Sequence, residues 1–216
     1  MGATGPANGG SQTRIQTENR ARLIAAALKV FSRAGYEGAT VDELAEAAGM
    51  SKPNLLYYYA SKEALYRAAL DSLLENWLEP LEAIDPAGDP LEEIGRYVAR
   101  KLALTAAAPE ASRVFATEII RGAPILGEML AGPLRTLVDE KSAVIAAWAA
   151  EGKIACEAPQ HLIFAIWATT QHYADFDAQV QAILGPEGAE RRFEDGGRML
   201  AGLFLRGLTP LAAARP

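Results

Sequence analysis

Trp167, Gln171 and Asp175 stand four residues apart in succession, inside the run Pro159-Gln160-His161-Leu162-Ile163-Phe164-Ala165-Ile166-Trp167-Ala168-Thr169-Thr170-Gln171-His172-Tyr173-Ala174-Asp175-Phe176. On a helix such spacing puts all three on one face. A primary amide both accepts and donates, so Gln171 can meet a ring N–H and the carbonyl beside it while the Trp167 indole covers the ring. The same spacing also suits a core tryptophan with a glutamine in a subunit interface. A second group lies in Thr40-Val41-Asp42-Glu43-Leu44-Ala45-Glu46-Ala47-Ala48-Gly49-Met50-Ser51-Lys52-Pro53-Asn54-Leu55-Leu56-Tyr57-Tyr58-Tyr59. Its side chains suit a nucleic-acid duplex: lysine reaches phosphate or guanine, asparagine meets adenine, and tyrosine hydroxyls contact phosphate. Catalytic patterns are missing. His161 and His172 lack metal-ligand spacing, Cys156 is the single cysteine, and neither a phosphate loop nor a nucleophile elbow occurs. The sequence predicts no enzyme, no metal and no cofactor.

The elements that must carry these residues read as helices throughout. From Thr17 onward Leu23, Ala27, Val30 and Phe31 form one apolar stripe, and Gly35 ends the helix. Thr40 is placed to cap a short helix over residues 41–48, with Glu43 completing a capping box and Gly49 stopping it. Ser51 caps the next helix, whose first turn tolerates Pro53. Small Ala45 lies four residues before Gly49, which lets two short helices cross closely, as in a helix-turn-helix. On that reading Lys52, Asn54, Tyr57 and Tyr58 face outward and Leu55 and Tyr59 face the core. An ordinary helical hairpin with a tyrosine-rich core edge fits the same spacing. Ser61 caps a longer helix beginning at Lys62, and prolines at 86, 90, 109, 124, 159 and 186 punctuate further helices.

Composition bounds the class. Half of the 216 residues are apolar, enough for a sizeable core without disulfides. No apolar run approaches the ~20 residues of a membrane span, and no secretory signal is evident, so the expected location is cytoplasmic. The net charge of −6 is unevenly spread: residues 11–62 carry seven basic and five acidic groups, and the rest 14 and 22. Only the first segment is a plausible DNA-facing surface.

Residues 20–66 resemble the DNA-binding domain of the TetR family. The resemblance rests on Ala27-Leu28-Lys29-Val30-Phe31 with Gly35-Tyr36, on Thr40-Val41-Asp42-Glu43-Leu44-Ala45, on Leu55-Leu56-Tyr57-Tyr58-Tyr59, and on Lys62-Glu63-Ala64-Leu65. It implies an all-α, TetR-like fold: a tail over residues 1–16, a helix-turn-helix domain over 17–63, and a helical ligand-binding and dimerisation domain over 64–210. It further implies DNA contacts from Thr40, Lys52, Pro53, Asn54, Tyr57, Tyr58 and Lys62. Leu56 departs from the family pattern, which has a tyrosine there. Two copies reading half-sites about 34–36 Å apart would supply specificity. The expected dimerisation elements are helices over residues 159–184 and 187–208, bearing Phe164, Met199, Leu200, Leu203, Phe204 and Leu205.

Ser61-Lys62-Glu63-Ala64-Leu65-Tyr66 through Asn76-Trp77-Leu78-Glu79-Pro80-Leu81, Ala111-Ser112-Arg113-Val114-Phe115, Gly122-Ala123-Pro124, Asp139-Glu140-Lys141-Ser142 and residues 159–176 resemble the pyrimidine-utilisation regulators of that family. This implies a homodimeric repressor of palindromic operator DNA, released by uracil or thymine. The pocket residues it implies are Trp77, Trp167 and Gln171, joined by Phe115, Tyr173 and Asp175. A different small aromatic or amide effector in the same family is the alternative. A helical small-molecule carrier or hydrolase stands further off, for want of a nucleophile beside a histidine.

Overall fold

The computed structural model describes residues 9–210, with side chains from Arg14 onward. All regular structure among them is helical. The chain divides into two compact units, residues 1–72 and 73–216.

The first unit contains α1 (Gly9–Gly38), α2 (Val41–Ala47), α3 (Lys52–Tyr58) and the opening turns of α4 (Lys62–Glu82). Helix α1 begins at Gly9, inside the stretch expected to be an unstructured tail; residues 1–8 of that tail lie outside the described residues. Residues 11–17 hold neither glycine nor proline, and Arg14 pairs with Glu18 at 2.9 Å across one turn, so local chemistry favours continuing the helix. Gly35, at φ 69°, breaks α1 where a side chain would be strained. The apolar stripe of α1 (Leu23, Ala27, Val30, Phe31) is buried with Leu44, Leu55, Leu65 and Leu70. Phe31, Tyr36 and Tyr66 form a ring cluster, with centroids 4.8 Å apart for Phe31–Tyr66 and 4.9 Å for Tyr36–Tyr66.

Helix α2 is short and depends on its ends. The Thr40 hydroxyl accepts from the Glu43 N–H at 3.2 Å, and the Glu43 carboxylate accepts the Thr40 N–H at 2.9 Å. These bonds to the ionised form hold the Glu43 carboxyl below its usual range. Thr40→Ala is expected to cost about 0.5–2 kcal/mol, measured by denaturant unfolding; Thr40→Ser should recover most of it.

The second unit contains the remainder of α4 followed by α5 (Pro90–Ala107), α6 (Pro109–Ile120), the single turn α7 (Gly127–Met129), α8 (Arg135–Ala150), α9 (Pro159–Asp175), α10 (Asp177–Glu190) and α11 (Arg192–Leu208). Pro90, Pro109 and Pro159 each stand in the first turn of a helix, where a missing N–H costs nothing. Pro133 lies within a π-helical turn over Leu130–Leu134 that joins α7 to α8. Helix α5 packs against both α9 and α11. Ile94, Tyr97 and Val98 of α5, Ile163 and Ile166 of α9, and Leu200, Phe204 and Leu208 of α11 make the core, closed by Ile145 and Trp148 of α8. Two carboxylates inside this unit bind backbone. Glu118 accepts from the Ile125 N–H at 2.6 Å and the Leu126 N–H at 3.3 Å, fastening the loop after α6. Glu93 accepts from the Asp85 N–H at 3.2 Å and from Arg96 at 2.6 Å.

The C-terminal helices differ from expectation. The expected break between residues 184 and 187 is present, at Gly185 within the span Asp177–Glu190, but the chain breaks further at Phe176 and at Arg191, so neither segment is one rod. Gly185, at φ 69°, kinks α10 immediately before Pro186. The apolar residues of α11 divide between two faces: Leu200 and Phe204 are buried, while Met199 and Leu203 are half exposed at 58% and 50%.

Candidate functional site

The first unit presents a candidate DNA-reading surface built on α2 and α3. Gly49, at φ 63°, turns the chain between them, and the Met50 N–H closes back onto the Ala45 carbonyl at 2.9 Å. Ala45 is buried at this turn, as expected of a small residue where two short helices cross. The Ser51 hydroxyl caps α3 through the Asn54 N–H at 3.4 Å, and Pro53 stands in its first turn. Leu55 and Tyr59 face inward. Lys52, Pro53, Asn54 and Tyr57 are exposed together on one short helix, Tyr57 at 71%.

Three residues of this group have partners that define their state without DNA. Lys52 pairs with Asp42 of α2 at 2.9 Å; both side chains are at least half exposed, so the pair is weak and a phosphate can replace the carboxylate. Tyr58 is half-buried rather than outward-facing, because Asn19 of α1 donates to its hydroxyl at 2.8 Å. The Lys62 ammonium donates to the carbonyls of Tyr36 and Ala39 at 2.7 and 3.0 Å and lies 4.4 Å from the Tyr36 ring centre. It thereby satisfies carbonyls left open where α1 ends. Thr40 completes the capping box that orients α2. Leu56, where the family pattern has tyrosine, is 38% exposed.

The second unit encloses an aromatic cleft of about 350 Å³, open solvent at its mouth included. Helix α4 contributes Leu74, Trp77, Leu78 and Leu81; α5 Lys101; α6 Phe115; the π-helical turn Leu134; and α9 Trp167 and Gln171. Four of the six residues expected in a ligand pocket therefore meet here: Trp77, Phe115, Trp167 and Gln171. The Trp77 and Phe115 rings lie 5.7 Å apart at 58°. The Trp167 indole N–H donates to the Tyr97 hydroxyl, a bond that fixes the ring and consumes its only donor. Burial pushes the Tyr97 hydroxyl pKa well up, so it stays protonated.

Asp175 and Tyr173 stand outside the lining. Asp175 continues the α9 face by one turn and accepts from the Ser112 hydroxyl of α6. Burial raises its carboxyl, opposed by Ser112 and by the charges of Arg113, His172 and Lys101. Tyr173 turns the other way and packs against Gly196 of α11, where an added Cβ would come within 2.5 Å of its ring.

Five lining residues were not singled out in the sequence: the apolar Leu74, Leu78, Leu81 and Leu134, and the charged Lys101. Lys101 is only 3% exposed, and its ammonium lies 4.4 Å from the Trp77 ring centre. Burial brings its pKa down to about 8, with Asp175 pulling the other way. A basic residue in the company of Arg96 and Arg100 resembles a surface position. Its place in the stripe Ile94, Tyr97, Val98, Leu102 and Thr105 was the available signal, since that stripe is buried along α5.

A helix-turn-helix unit followed by a helical unit with an aromatic cleft is the architecture of a DNA-binding regulator. The family models agree: residues 23–69 match the bacterial regulatory proteins of the tetR family, and residues 70–211 match the C-terminal region of YcdC-like proteins. The chain belongs to the TetR family and is a DNA-binding transcriptional regulator. It is 48% identical over 176 residues to the HTH-type transcriptional regulator RutR of Escherichia coli, spanning 82% of this chain and 83% of that protein. The HTH-type transcriptional regulator EthR of Mycolicibacterium smegmatis is 26% identical over 137 residues, 60% of each chain. Among solved structures, a tetR-family regulatory protein from Rhodococcus has the same fold, with a TM-score of 0.72 at 21% identity over 90% of this chain and 99% of that one.

Proposed function

We propose that the chain is a homodimeric repressor of palindromic operator DNA, released by a small planar pyrimidine base, uracil or thymine. The observation that carries the effector half is the cleft itself: Trp77, Phe115 and Trp167 supply flat apolar walls, with the Gln171 amide at their edge. The similarity to RutR supports a pyrimidine, since four of the residues quoted for that resemblance line one cleft. Helix α4 enters both units, supplying Leu65 and Tyr66 to the core of the first and Trp77 to the cleft of the second. A ligand that favours one disposition of α4 thus biases the reading helices. Phe164, Phe176, Ile183, Leu184, Met199 and Leu203 of the C-terminal segment are exposed and apolar, which suits a subunit interface. On DNA, Lys52, Asn54, Pro53 and Tyr57 would meet bases and phosphates, with Tyr58, Thr40 and Lys62 holding the frame.

Selection from a random duplex pool, followed by titration with uracil, tests this. A two-fold symmetric site should emerge, with half-sites one helical turn apart and affinity that falls steeply with salt. Saturating uracil should weaken binding about 5–150-fold. Enrichment of an asymmetric single half-site would defeat the dimeric reading, and unchanged affinity at saturating uracil and thymine would defeat the effector.

A further inference from the structure

The cleft contains two polar heads with no hydrogen-bond partner among the described residues: the Gln171 amide and the Lys101 ammonium. A third polar group, the Trp167 indole N–H, is already committed to Tyr97. The chemistry offered to a ligand is therefore narrow. Gln171 presents one acceptor and one donor side by side, and Lys101 adds a donor and no acceptor. The complement is a ligand edge that reads acceptor, donor, acceptor.

We infer that Lys101 is an effector-recognition residue, and that with Gln171 it reads the edge of a cyclic imide, a ring N–H flanked by two carbonyls. Gln171 accepts from the imide N–H and donates to one carbonyl; Lys101 donates to the other. The inference rests on the effector reading above and narrows it, because it names which edge of the pyrimidine is recognised and by what. A ligand carboxylate is a poorer match. It would satisfy Lys101 but leave the Gln171 carbonyl oxygen facing an anion, and Asp175, whose field reaches Lys101 from α9, adds repulsion. A ring with one carbonyl, such as a simple pyridone, leaves Lys101 desolvated without an acceptor. Unmade bonds to a buried charge are costly, so the discrimination should be large.

Isothermal titration of the full chain tests this with uracil, 1-methyluracil, 3-methyluracil and glutarimide, the last a bare cyclic imide. Methylation at N3 removes the imide donor and obstructs the edge, whereas methylation at N1 leaves it intact. 3-Methyluracil should bind at least ten-fold more weakly than 1-methyluracil. Lys101→Met should lose ten-fold or more for uracil and glutarimide alike, with Lys101→Arg recovering part. Equal or tighter binding of 3-methyluracil overturns the assignment without any variant, and so does a Lys101→Met protein that binds within two-fold of the parent. If uracil gives no heat but glutarimide binds and depends on Lys101, the pyrimidine reading fails and the imide reading stands. If neither binds, both fail.

Discussion

Phe31→Ala is expected to lower the stability of the first unit by about 3–5 kcal/mol, as for other buried phenylalanines truncated in tight cores. Phe31 is 3% exposed, with Tyr66 edge-on at 4.8 Å and Tyr36 stacked at 6.2 Å. Removing it leaves a hole that neither tyrosine fills easily. The Tyr36 ring lies under the Lys62 ammonium, and its carbonyl accepts from the same group. The loss therefore reaches the α1–α4 junction that fixes α2 and α3, and operator binding should go with it. Native-state hydrogen exchange checks the prediction by region. Amides of α1 to α3 should lose two to three orders of magnitude of protection, while those of α5 and α9 keep theirs. A loss below ten-fold in the first unit, or an equal loss in both, would show that the ring cluster does not hold this unit on its own.

What could be read from the sequence follows the range of the interactions involved. The ends and the turn of the α2–turn–α3 segment were legible because their determinants are local: Thr40 with Glu43, Gly49 at positive φ, and Ser51 with Asn54 all act within three or four residues. The shared face of Trp167 and Gln171 was legible for the same reason, since one turn of helix decides it. Long-range packing was not. Tyr58 looked outward until Asn19, 39 residues earlier, engaged its hydroxyl. Lys62, which the family resemblance places at DNA, also donates to two carbonyls at the end of α1, 23 and 26 residues earlier, and no local pattern announces those bonds. Asp175 obeyed the helical period but was drawn to Ser112, 63 residues away. The break at Phe176 carries no proline or glycine to announce it.

The largest effect in the second unit should be a gain. Lys101 has a folded-state pKa of about 8 against an ordinary 10.5, with burial as the main cause. At pH 7 both folded and unfolded chains carry the charge, so the whole cost of burying it is present. Between pH 8 and 10.5 the unfolded chain still binds the proton and the folded chain has released it, so stability rises with pH across that window. The full span between the two values corresponds to about 3 kcal/mol. Lys101→Met keeps the length and apolar stem without the charge. It forgoes the cation–π contact with Trp77, of order 0.5–2 kcal/mol, and should still be more stable than the parent at pH 7 by about 1–2 kcal/mol. That advantage should shrink toward zero by pH 10.5. Denaturant unfolding of both proteins at pH 7, 9 and 10.5 measures it. Of the charges near Lys101, Asp175 of α9 opposes the shift, and Arg113 and His172 act on Asp175 in turn, so Asp175→Asn should enlarge the pH 7 difference. A Lys101→Met protein that is less stable at pH 7 would mean that the ammonium is a net structural asset. A more stable one would show that the buried ammonium costs the fold stability, as expected of a group kept for a role other than packing.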